Sequence, residues 1–135
     1  MGFLKTLILF FATLAIGFCI DLIWLGLMNS RFYKPQLAGL MSDKVNWLPG
    51  ILFYVLFTIG LLLLIVLPTI EHGSWLRAML LGGLLGMVAY ATYDLSNLAT
   101  IKNWPIVVTI VDIIWGTSFS AMIATISYFI AKALS

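Results

Sequence analysis

Near the end of one long apolar run stand Tyr90, Tyr93, Asp94 and Asn97, two phenols, a carboxylate and an amide. An ionised carboxylate in hydrocarbon costs at least about 2.5 kcal/mol, so its place in such a run needs a reason. Asp21 and Asp112 interrupt two other apolar runs in the same way, each followed three residues later by a tryptophan, Trp24 and Trp115. The reading adopted is that the three aspartates meet in one polar pocket. Carboxylates brought together in low dielectric cannot all stay ionised, so at least one proton is expected to be retained. A labile proton between aromatic walls suits a cation, held by charge and by Trp or Tyr faces. It equally suits general acid/base work on a lipid. The plainer alternative is structural: each aspartate caps a helix end or bonds Asn97, a tyrosine or an indole N–H and fixes the bundle. The candidate ligand-binding or proton-carrying set is therefore Asp21, Asp94, Asp112, Asn97, Tyr90, Tyr93, Trp24 and Trp115. No residue is assigned a catalytic role, and whether the protein is an enzyme stays open.

The elements that must position these groups follow from composition. The chain has 135 residues, 63% of them hydrophobic and only 9% charged. Soluble domains run about 25% charged, so the solvent for most of this surface must be lipid. Four runs stand out, at about 4–28, 48–70, 75–98 and 105–131. Each exceeds the roughly 20 residues that cross about 30 Å of hydrocarbon as a helix. Backbone groups in lipid must be satisfied internally, which makes these runs helices. The expectation is an all-α integral membrane protein, a single four-helix transmembrane domain over residues 1–135 with no domain outside the membrane. Lys5 followed by an apolar stretch has some features of a signal peptide, but no small-x-small site follows, and the segment reads as retained.

Other classes are poorly supported. With one cysteine, Cys19, and one histidine, His72, no disulfide within the chain and no metal, haem or iron–sulfur site is expected, and no cofactor is implied. A formal charge of +2, scattered along the chain, gives no reason to expect nucleic acid. Gly82, Gly83 and Gly86 lie inside an apolar run and do not form a phosphate-cradling loop.

The turn at Glu71–Ser74 and the short link from Ala99 to Trp104 make neighbouring helices antiparallel, with Gly73 able to stop one helix and Ser74 placed to cap the next. Both termini then share one face, side A, and the 29–47 and 99–104 links share the other, side B. Side A carries Lys5, Arg77 and Lys132, and side B carries Arg31, Lys34, Lys44 and Lys102. The positive-inside rule leans toward side B as cytoplasmic, by a single charge. Segment 29–47 mixes cations with Phe32, Tyr33, Leu37 and Leu40. It reads either as a piece lying among headgroups or as an ordinary polar loop. Trp47, Trp75 and Trp104 are expected to be interfacial anchors.

Depth brings the aspartates together. At 1.5 Å per residue, Asp21 and Asp112 lie roughly 10 Å, and Asp94 roughly 6 Å, from the side-B ends of their helices. Faces agree as well. Thr13, Gly17, Asp21, Trp24 and Met28 form one stripe, Gly83, Gly86, Tyr90, Asp94 and Asn97 a second, and Thr109, Asp112, Gly116 and Ser120 a third. Small residues below and carboxylates above imply a tightly packed base with a pocket opening toward side B. The second helix, with Tyr54 and Thr58 as its interior polar groups, reads as support. The word Asp-x-x-Trp occurs at 21–24 and at 112–115, and an ancestral duplication of two hairpins would not explain that match.

The stretches Asp21-Leu-Ile-Trp-Leu-Gly26, Tyr33-Lys-Pro-Gln-Leu37, Ala89 to Thr100 and Val111-Asp-Ile-Ile-Trp-Gly-Thr117 resemble a bacterial family of small membrane proteins, domain of unknown function 2177. The resemblance covers nearly the whole chain. It implies a four-helix protein of the bacterial inner membrane and carries over no catalytic role. From the residues, the leading reading is binding or proton-coupled transport of a small cationic or amphipathic molecule, with a homodimer expected because four helices enclose little space. A lipid-modifying intramembrane enzyme and a structural accessory subunit are the alternatives.

Overall fold

The computed structural model describes residues 1–135. Four helices long and apolar enough to cross a membrane account for almost all of it: α1 (Phe3–Gln36), α2 (Trp47–His72), α3 (Trp75–Thr100) and α4 (Ile106–Leu134). There are no strands. Ser74 caps α3, its Oγ accepting the Arg77 N–H at 3.2 Å. The shared end of the two termini is visible in a surface hollow lined by Met1 to Lys5 and Ser135. Large apolar side chains such as Phe3, Leu56, Leu64 and Ile114 face outward, as the lipid-facing surface of a span must.

Three of the four helices keep their expected limits within a few residues, and α1 does not. It continues past Met28 through a π-helical turn, Asn29–Tyr33, and a last α-helical turn, Lys34–Gln36. The first part of segment 29–47 is thus helical and continuous with α1 rather than a loop. Pro35 explains the turn: a proline within a helix removes an N–H and crowds the carbonyl four residues back, which here is Arg31 inside the π turn. The same pairing recurs in α2, where the π turn Leu62–Val66 ends two residues before Pro68, as Asn29–Tyr33 ends two before Pro35. A π turn adds one residue to the ladder and so turns everything beyond it back by about 100° relative to an uninterrupted helix. Tyr33 lies twelve positions after Asp21, which in a regular helix would point it well away. With one residue absorbed, it returns to the Asp21 face.

α4 is the central helix, packed against α3 along most of its length, against α1, and against the second half of α2. The α3–α4 seam is the tightest. A Cβ on Gly82 would overlap the Ala124 Cβ, and one on Gly86 would overlap the Gly116 carbonyl oxygen and the Ser120 Cβ. These glycines let two backbones touch where lipid offers no hydrophobic drive to bring helices together. Gly86→Ala is therefore expected to push α3 off α4 and to destabilise the protein by about 1–3 kcal/mol. Thermal unfolding in detergent, read by retention of a monodisperse peak, would check this; an unchanged midpoint would mean that the seam is looser than described.

Beside this seam the side-A half is filled by Leu9, Leu61, Val66, Phe119, Ile123 and neighbouring residues. Near side B a smaller cluster of Tyr33, Trp104 and Val108 closes the bundle. Between the two clusters the packing opens. The first half of α2 has little backbone contact with α3 and meets it mainly from Leu62 onward. Along that half, residues 47–49 and 51–53 are exposed. The bundle is splayed between α2 and α3, at the depth of the aspartates.

Candidate functional site

The three acidic residues converge. Asp21 on α1 and Asp112 on α4 both line a cavity of about 200 Å³, with Trp24, Tyr33, Tyr90, Tyr93, Trp104 and Trp115 among its walls. It extends toward side B beside Leu25 and Leu37. A larger groove of about 570 Å³ shares Asp21, Tyr90, Tyr93 and Asp112 with it and adds Pro49, Gly50, Phe53, Tyr54 and Ala89. Asp94 lines neither hollow. It is fully buried behind them, and neither of its carboxyl oxygens accepts a hydrogen bond from any donor.

Asp21 is held by donors from two other helices. Trp115 Nε1 donates to Asp21 Oδ1 at 3.1 Å, and the Tyr54 hydroxyl donates to Oδ2. Asp112 is reached through a relay: Trp24 Nε1 donates to the Tyr33 hydroxyl at 3.1 Å, and that hydroxyl donates to Asp112 Oδ1 at 2.7 Å. The Trp24 and Trp115 rings stack at 4.3 Å with 4° between their planes. This arrangement accounts for the repeated Asp-x-x-Trp word. α1 and α4 run antiparallel, so the tryptophan of each word lies opposite the aspartate of the other. Trp115 bonds Asp21 directly, and Trp24 bonds Asp112 through Tyr33. The indoles stack where the two words cross.

Asp94 lies within hydrogen-bonding reach of the Asp112 carboxyl. Two ionised carboxylates are acceptors only, so such a pair bonds only when one of the two carries a proton. No other donor reaches the Asp94 carboxyl. The Asp94 backbone is fixed from α4: its carbonyl accepts the Thr109 hydroxyl at 3.4 Å, and Thr109 Oγ1 in turn accepts Trp104 Nε1 at 3.0 Å. Tyr90 faces both hollows, and its ring lies so close to Gly116 that a Cβ there would overlap it.

Seven of the eight candidate residues thus meet at this centre, six lining the cavity and Asp94 behind it. Asn97 lines neither hollow; it lies one turn beyond Tyr93 on α3. Three contributors were not in the set. Trp104, expected as an interfacial anchor, is buried and bonded to Thr109, whereas Trp47 and Trp75 are exposed. Tyr54 makes the second helix part of the site rather than support alone. Its signal was present, since Tyr54 lies six residues into the expected 48–70 span, roughly 9 Å deep and close to the depth of Asp21 in its own helix. Tyr33 becomes visible only through the π turn, and Pro35 was the cue.

No curated protein and no solved structure matches the chain. A family model described as "Predicted membrane protein (DUF2177)" matches residues 6–129, nearly the whole chain, and with its four membrane-length helices the protein belongs to that family.

Proposed function

We propose that the protein binds a small cationic or amphipathic molecule in this pocket and exchanges it for a proton, in the inner membrane of a bacterium. The observation that carries the reading is the joint lining of one aromatic-walled cavity by Asp21 and Asp112. Carboxylates supply charge, and indole and phenol faces supply cation–π attraction in a site partly cleared of water. Asp94 adds the exchangeable proton: a cation seated beside Asp112 stabilises its ionised form and weakens the hold on the proton shared with Asp94. Cation and proton therefore compete, and affinity falls as pH is lowered. For transport, as distinct from binding, a homodimer is proposed, because a cavity of about 200 Å³ in four helices does not by itself offer alternating access to both sides.

A second reading has its own support. A carboxyl pair sharing a proton beside a lipid-facing groove is a geometry for general acid/base chemistry on a lipid. The two readings part on a simple experiment. Tetramethylammonium binding to the protein in nanodiscs, followed by calorimetry, is expected in the wild type. Asp112→Asn should weaken it by about 10–100-fold, the worth of a charge-assisted contact. Unchanged affinity in that variant would remove the cation site and leave the acid/base reading.

A further inference from the structure

We propose that the gap between α2 and α3 is a lateral portal, and that the ligand is a single-chain amphiphile with a cationic head which enters from the bilayer. The inference rests on the cation-binding reading above and specifies the ligand's chemistry and its route. Three features point to it.

The first is continuity. The groove of about 570 Å³ and the inner cavity of about 200 Å³ share Asp21, Tyr90, Tyr93 and Asp112, so whatever occupies the groove has its inner end against both carboxylates. The second is polarity along the groove. Its inner end carries Asp21, Asp112 and the Tyr54 hydroxyl, and its outer end is Pro49, Gly50, Phe53 and Ala89. Charge is met inside and hydrocarbon outside, the order of head and tail in an amphiphile whose tail stays in lipid. The third is the splay of α2. Ile51, Leu52 and Phe53 are exposed on the stretch that borders the opening, roughly 6–9 Å from the side-B end of α2, where the surroundings are acyl chains, with Trp47 and Leu48 exposed above them at the interface. The opening also lacks side chains at its edge: a Cβ on Gly50 would meet nothing within 4 Å.

The test fills the portal without disturbing the pocket. Gly50→Phe places a ring in open space, and Ala89→Phe does so from the facing helix. Association of dodecyltrimethylammonium and of tetramethylammonium is followed in nanodiscs by stopped-flow quenching of the tryptophans, with thermal unfolding as a check on the fold. Both variants should slow dodecyltrimethylammonium association by about ten-fold or more. The affinity for tetramethylammonium should not change. If both probes bind the variants at wild-type rates, the portal is wrong and the cation site stands. If both probes weaken together, the groove belongs to the binding pocket and is not a route, and the proposal also fails. If the wild type binds neither probe, the cation reading falls and the portal with it. Should one variant misfold, the other, on the opposite helix, decides.

Discussion

Asp94→Asn is expected to leave the fold intact and to abolish proton exchange. In the proposed arrangement the asparagine amide donates a hydrogen bond to Asp112 in place of the shared proton, so the buried pair stays satisfied. Thr109 continues to hold the backbone carbonyl of residue 94, which the substitution does not touch. The variant should unfold within about 1 kcal/mol of the wild type, since one satisfied pair replaces another. Binding of tetramethylammonium should survive with its pH dependence flattened, because the competing proton is gone. Asp94→Ala is the contrasting case. It leaves a void and an unpartnered Asp112, at a cost of about 2–4 kcal/mol. Calorimetric titration at several pH values, beside thermal unfolding, would check both. If Asp94→Asn is as unstable as Asp94→Ala, the pair does not share a proton in the way described.

The second large effect is at Asp21, where the same substitution should do harm. Asp21 accepts from two donors, the Trp115 indole and the Tyr54 hydroxyl, one on each carboxyl oxygen. Asparagine has only one acceptor oxygen; with that oxygen on the donor-only Trp115 indole, its amide donates to the Tyr54 oxygen, and the Tyr54 O–H loses its carboxylate acceptor. Asp21→Asn is therefore expected to cost about 1–3 kcal/mol through one unsatisfied or repelled donor. It should also loosen the first half of α2, which Tyr54 ties to α1. Pairing it with Tyr54→Phe tests the cause: both substitutions act on the same bond, so the double variant should cost less than the sum of the two single ones. Thermal unfolding of the three variants in one detergent is sufficient. Equal tolerance of Asn at positions 21 and 94 would contradict the hydrogen-bond assignments.

How much of this was legible beforehand depends on the kind of signal. The spans were readable because hydrocarbon imposes a length, and α2, α3 and α4 fall within a few residues of the expected limits. The stripes were readable because regular helices keep faces in register. Thr13, Gly17 and Asp21 are buried on α1, and Gly82, Gly83, Gly86 and Asp94 on α3. Register fails where the helix is irregular, and the hidden residue lies there: Tyr33 returns to the Asp21 face only because of the π turn before Pro35. Trp104 was misread for another reason. Tryptophan at a span end is ordinarily an anchor, but Asn103 takes a left-handed conformation, φ 65°, and the chain turns so that the next residue points inward. Depth arithmetic placed Asp94 level with the other two aspartates, yet depth says nothing of which group lines a cavity. That Asp94 lies behind Asp112 follows from side-chain packing alone.

The structural alternative expected each aspartate to bond a tyrosine or an indole N–H and fix the bundle, and Asp21 and Asp112 are bonded in that way, by Tyr54, Trp115 and Tyr33. Here every donor to an aspartate carboxyl comes from a different helix or from beyond the π turn, and Asp21 and Asp112 share a cavity. The polar contacts bind α1, α2 and α4 together, and under the proposed function they also hold two carboxylates open to an occupant.

The most direct measurement is proton release on cation binding. Purified protein in a weakly buffered detergent solution near neutral pH is titrated to saturation with tetramethylammonium while a dye or electrode follows pH. About one proton released per cation bound is expected from the wild type, and essentially none from Asp94→Asn. Cation binding by the wild type with no proton released would contradict a proton shared between Asp94 and Asp112.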